Sequence, residues 1–104
     1  MEEKNMEVAM QLIVNGGNAK SSAFEAINLA KSGKFDGAKE KLNEANDFLA
    51  KAHNSQTSLL TEEANGNNEE LTLLMVHAQD HVMNAITFID LASEIVDLYK
   101  IIQK

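Results

Sequence analysis

The chain of 104 residues contains no cysteine, no proline and no tryptophan, and its basic residues include no arginine. Each absence closes off a class of protein. Without cysteine there is no disulfide framework and no thiolate chemistry, although this says nothing about compartment. Without proline, no helix need be interrupted. Aromatics make up only 5% of the residues against 44% hydrophobic, so the core must come from Leu, Ile, Ala and Met, as in helical bundles. The net charge of −7, with no arginine, argues against nucleic acid, whose phosphates need clustered cations. It also disfavours anionic membrane surfaces, but it favours solubility and could steer a basic partner protein. No apolar run reaches membrane-spanning length. The opening Met1-Glu2-Glu3-Lys4-Asn5-Met6-Glu7 is acidic and polar, unlike a signal peptide. A single cytoplasmic domain over residues 1–104 is therefore expected.

What is present is helical periodicity, divided by two turn signals. Lys31-Ser32-Gly33-Lys34 places a glycine where a helix would end, and Ala64-Asn65-Gly66-Asn67-Asn68 reads as a polar loop. Three long helices are predicted, over residues 4–31, 35–62 and 69–102, packed antiparallel in an all-α fold. The second helix carries Phe35, Ala38, Leu42, Ala45, Leu49, Ala52, Gln56 and Leu59 at alternating spacings of three and four. That is one sustained apolar seam, with Gln56 its only polar member. In the first helix the same spacing gives Ala9, Leu12, Gly16, Ala19, Ala23, Ala26 and Ala30, small residues that let a neighbour come close. Asn15-Gly16-Gly17-Asn18 is a weak point there, each glycine costing roughly 1 kcal/mol relative to alanine, and a local kink is an option.

The third helix is apolar on nearly every side of its first half. One stripe runs Leu71, Met75, Ala78, Val82, Ala85, Ile89, Ala92, Val96 and Tyr99. A second runs Leu74, His77, His81, Asn84, Phe88, Leu91, Ile95, Leu98 and Ile102, and a third runs Leu73, Val76, Asp80, Met83 and Thr87 before turning acidic. A three-helix protomer needs roughly one such stripe per helix. The surplus predicts burial against the same helix of other copies around a symmetry axis. Asp80 would then be a carboxylate in an apolar interface, costly unless paired or bound to a cation. A divalent ion suited to oxygen ligands, such as Mg²⁺, would relieve the repulsion between copies. The alternative is that Asp80 lies at a solvated edge.

Two of the chain's three histidines fall in His77-Ala78-Gln79-Asp80-His81. Residues three and four apart on a helix are neighbours, so His77 has Asp80 on one side and His81 on the other. One chemistry open to such a cluster is zinc binding, since His-x-x-Glu-His is a metalloprotease order. Here the acid is aspartate, and neither a third ligand nor a substrate cleft is evident. Another is covalent catalysis, because a neutral imidazole can carry a transferred group. It needs one exposed ring nitrogen, a neighbour for the other nitrogen, and donors for the group; His77 with Gln79 and His81 would meet these needs. Structural histidines remain the bland alternative. His53 stands alone on the second helix near Gln56, and a structural hydrogen-bonding role is expected for it.

The run Val76-His77-Ala78-Gln79-Asp80-His81-Val82-Met83 resembles the IIA components of the lactose/cellobiose (N,N′-diacetylchitobiose) class of the sugar phosphotransferase system. The resemblance extends over essentially the whole chain, through Ile13-Val14-Asn15-Gly16-Gly17-Asn18-Ala19-Lys20-Ser21, Ala30-Lys31-Ser32-Gly33-Lys34-Phe35 and Ala52-His53-Asn54-Ser55-Gln56-Thr57. Gly17 and the short loop around Asn65–Asn68 depart from the pattern without touching the histidine run. The resemblance implies a homotrimer of three-helix protomers. It implies that His77 accepts a phosphoryl group from the phosphocarrier HPr and passes it to a cysteine of the cognate IIB component, serving uptake of a disaccharide such as lactose, cellobiose or diacetylchitobiose. It further implies that Gln79 and His81 lie near the phosphoryl site, and that Asp80 lies near the threefold axis, where a divalent metal can bind. The competing function, from another class, is a helical oligomerisation or adaptor module with structural or metal-binding histidines.

Overall fold

In the computed structural model, which describes residues 3–67 and 71–103, the chain forms three helices: α1 (Glu3–Lys31), α2 (Phe35–Ala64) and α3 (Leu73–Ile102). Among the described residues there is no strand. Helices of this length are about 45 Å long, and the molecule is correspondingly elongated, 54 × 21 × 18 Å. No helix of the described residues is long and apolar enough to cross a membrane.

Glycine ends both of the first two helices. Gly33 adopts φ 77°, its N–H donates to the Ala30 carbonyl at 3.0 Å, and the Lys34 N–H reaches back to Leu29 at 2.9 Å. Gly66 repeats the arrangement with φ 88°, donating to Glu63, while Asn67 donates to Glu62. In both places a left-handed residue lets the chain satisfy the last carbonyls of the helix and turn. Gln103, just past the end of α3, donates from Nε2 to the carbonyls of Ala30 and Lys31 at 3.3 and 3.2 Å. This closes one end of the bundle.

The predicted start of α3 is corrected by a cap. Thr72 takes an extended conformation, φ −113° and ψ 157°, and its hydroxyl accepts the Met75 N–H at 3.1 Å. The helix therefore begins at Leu73, and 71–72 lie outside it. Glu69 and Glu70, the first residues of the predicted helix, lie outside the described residues.

α1 is the middle helix: it packs along both neighbours, whereas α2 and α3 touch each other much less. Its seam explains why. Ala9, Leu12, Ala19, Ala23, Ala26 and Ala30 are all fully buried. Against them lie Ala38, Ala45 and Ala52 of α2 and Ala78, Val82, Ala85, Ile89, Ala92 and Val96 of α3. Small side chains bring the backbones close, and the helix runs unbroken through Asn15–Asn18. One ion pair reinforces the α1–α2 contact. Lys41 meets Glu25 of α1 and Glu44 of α2 at 2.9 Å each, and its hydrogen bonds to Glu25 and then Glu44 hold its ammonium pKa up at about 12.

The third face of α3 is left largely uncovered by the described residues of the protomer. Leu73 is 85% exposed, Val76 47% and Met83 54%. A helix of a monomeric bundle seldom leaves such a stripe in water. Thr72→Ala should lower unfolding stability by ~1 kcal/mol through loss of the cap, read as a shift in the urea midpoint at unchanged m-value.

Candidate functional site

The structure brings His77 and His81 together. Their Nε2 atoms lie 3.1 Å apart, and the rings meet edge to face at 89° with centroids 4.5 Å apart. His77 is exposed and His81 half-buried. A contact between two ring nitrogens at this distance holds a single proton, so one Nε2 donates and the other presents its lone pair. The pair is thus a base and a donor side by side.

α1 sets the position of His81. At Gly16 the two backbones nearly touch: a Cβ placed there would lie 3.2 Å from the His81 carbonyl oxygen and 3.3 Å from its carbonyl carbon. A Cβ on the adjacent Gly17 would meet nothing within 4 Å. The glycine read as a weak point in the sequence is therefore the seat of the second histidine.

Gln79 and Asp80 face elsewhere. At about 100° per residue, the outward apolar stripe Leu73–Val76–Asp80–Met83 defines one direction, with His77 and Gln79 roughly 80° to either side of it. His77 lies on the α1 edge of that face and Gln79 on the α2 edge. Gln79 Oε1 accepts from Gln56 Nε2 of α2 at 2.6 Å. Gln56 Nε2 also approaches Met83 Sδ at 3.9 Å, and Gln79 Nε2 approaches Met75 Sδ at 3.8 Å. Within one protomer, then, Gln79 points away from the histidines. Asp80 is exposed, with no hydrogen bond or ion pair to any described residue.

Among the described residues no three His, Cys, Asp or Glu side chains of one chain gather as metal ligands. A zinc held by the two rings would lack a third protein ligand, and a divalent ion at Asp80 would need carboxylates from further copies. His53 is exposed and makes no hydrogen bond to any described residue, so the structural bond expected for it is not there. Sequence reasoning marked Gln56 as odd but gave it no partner. Only the fold brings it to Gln79, since they are 23 residues apart and on different helices.

Residues 7–100 match the family model described as "PTS system, Lactose/Cellobiose specific IIA subunit". The chain is 52% identical over 100 residues to the lichenan-specific phosphotransferase enzyme IIA component of Bacillus subtilis, covering 96% of this chain and 91% of that one. Its fold is similar to the crystal structure of the cellobiose-specific enzyme IIA from Bacillus anthracis, with a TM-score of 0.95 and 45% identity over 99% of this chain and 94% of the other. It is also similar to a chain in the solution structures of the IIA(chitobiose)–HPr complex of Escherichia coli, with a TM-score of 0.85, 35% identity and full coverage of both chains.

The two glycines make a matched pair of tests. Gly17→Ala adds a methyl group in open space and should stabilise the protein by up to about 1 kcal/mol through helix propensity. Gly16→Ala gains the same propensity but must displace the His81 backbone. Its melting temperature should fall clearly below that of Gly17→Ala, and the His81 ring resonances should shift only in the Gly16 variant.

Proposed function

The chain belongs to the lactose/cellobiose-specific IIA family of the sugar phosphotransferase system, and from that membership we propose that His77 is the residue carrying its phosphoryl group. The protein is a phosphotransferase component that takes phosphate from HPr. The observation supporting His77 is the 3.1 Å contact between its Nε2 and that of His81 on an exposed edge of α3. On this reading, neutral His77 keeps its proton on Nδ1 and its lone pair on Nε2, the tautomer selected by an Nε2–H donated from His81. The lone pair attacks phosphorus, and an N–P bond forms as the bond from phosphorus to the donor breaks, its electron pair staying with the donor. The His81 N–H is then free to donate to a phosphoryl oxygen, a charge-assisted bond stronger than the one it replaces. The reverse step delivers the group to a cysteine sulfur of the IIB component, in the cytoplasm, for a disaccharide such as lactose, cellobiose or diacetylchitobiose. The uncovered stripe of α3 would also suit an adaptor module, but family membership favours the phosphoryl carrier.

The working unit is a homotrimer in which the uncovered stripe of α3 faces a threefold axis. In a ring of like copies, one edge of each helix meets the opposite edge of the next. His77 of one copy then faces the Gln79 edge of its neighbour, at nearly the same height. This is how Gln79 reaches the phosphoryl site that it turns from within its own chain. Asp80 of each copy faces the axis, where three carboxylates would hold a divalent cation, most simply Mg²⁺, with water completing its shell. The ion would supply positive charge to the assembly and takes no part in the transfer.

Incubation with phosphoenolpyruvate, enzyme I and HPr should give an acid-labile, base-stable adduct by intact mass. His77→Gln should abolish it with the fold intact. His81→Ala should slow its formation while leaving the adduct on His77. A normal adduct on His77→Gln would move the site elsewhere.

Asp80→Leu tests the axis. At an effective dielectric near 20, like charges ~4 Å apart cost about 4 kcal/mol per pair. Removing them should make the trimer persist in chelator to lower concentrations than wild type, as read by sedimentation velocity. Equal dissociation of the two proteins in chelator would remove Asp80 from the axis.

A further inference from the structure

Gln56 is the one polar residue in the α2 seam, and its hydrogen bond to Gln79 spans the side of the bundle where α2 and α3 otherwise touch little. The geometry points to Gln56 as a positioning residue that fixes which end of the Gln79 amide is offered to the phosphoryl group. This inference rests on the assignment of Gln79 given above.

The argument starts from the polarity of the two amides. Gln56 Nε2 has two acceptors around it, Gln79 Oε1 at 2.6 Å and Met83 Sδ at 3.9 Å. Thioether sulfur accepts weakly and donates nothing, so the nitrogen of Gln56 belongs on this side. Gln79 Oε1 is thereby occupied from α2. On the other branch, Gln79 Nε2 has, among the described residues, only the weak contact to Met75 Sδ at 3.8 Å. The two methionine sulfurs thus favour the same orientation at both ends of the pair. The carbonyl of Gln79 is turned inward, and its NH₂ group keeps donor capacity.

That orientation matters because a phosphoryl group is acceptor-only. An amide offering its nitrogen stabilises the group, and one offering its oxygen repels it. A glutamine free to rotate would offer both. Gln56, which lies on α2 and not on the helix carrying the histidines, removes the choice. The site on the seam between two copies therefore draws His77 and His81 from one chain, and an amide oriented by a second helix from the next.

Gln56→Glu reverses the pair. A carboxylate at position 56 only accepts, so Gln79 must turn its NH₂ group inward and its carbonyl out. Transfer from HPr should slow roughly ten- to a hundredfold, the weight of one hydrogen bond to a charged group. The ³¹P shift and hydrolysis lifetime of the phosphohistidine should move in step, as in Gln79→Leu, with the assembly state by sedimentation unchanged. Gln56→Met keeps the length without donor or charge, should give a smaller slowing, and serves if the glutamate variant fails to fold. In a Gln79→Leu background, changing Gln56 should alter transfer by less than about twofold, because the two residues act as one unit. If Gln79→Leu perturbs the phosphohistidine and neither Gln56 variant does, Gln56 positions nothing. If the Gln56 variants change only melting or assembly, the bond is structural and the inference is overturned. If Gln79→Leu itself leaves transfer and ³¹P shift unchanged, the role given to Gln79 fails first and this inference with it.

Discussion

The closeness of α1 to its two neighbours is the constraint from which the rest of the molecule follows. Alanine and glycine along that seam bury little area each, but they let three backbones approach, with larger side chains such as Leu12, Val82 and Ile89 filling the space between them. Because α1 takes both contacts, α2 and α3 are left with an open side, and α3 with a face that the described residues of its own chain leave largely uncovered. The same closeness reaches the chemistry directly at Gly16, where α1 rests on the backbone of His81. Core packing and the geometry of the histidine pair are here parts of one contact.

Much of this architecture was legible in the sequence, because it depends on local rules. Spacings of three and four marked the buried seams, including every member of the α1 stripe. Gly33 and Gly66 marked helix ends because only a left-handed residue closes those turns cheaply. The pairing of His77 with His81 followed from helical spacing alone. The start of α3 was placed too early, because the Thr72 hydroxyl and not the end of the polar loop decides where the helix begins.

The remaining features depend on contacts between helices, which spacing cannot supply. Gln56 and Gln79 meet only once α2 and α3 are laid side by side. Spacing put Gly16 in the α1 seam and left Gly17 out of it, but only the packed helices show that Gly16 rests on the backbone of His81. His53 shows the opposite error: a lone histidine near a polar neighbour suggested a bond, but helix geometry turns it to solvent. The direction of Gln79 could be computed from helical angle, since two residues is more than half a turn, but its partner could not.

The offset of His77 from the outward apolar stripe has a consequence for throughput. A residue on the axis would give the proposed trimer one shared station. Roughly 80° away from that direction, His77 recurs on the circumference as three separate stations. A donor could load one while an acceptor empties another, and a partner released from one station would find the next within molecular reach before diffusing away. Local concentration would then work for the carrier without any coupling between its sites.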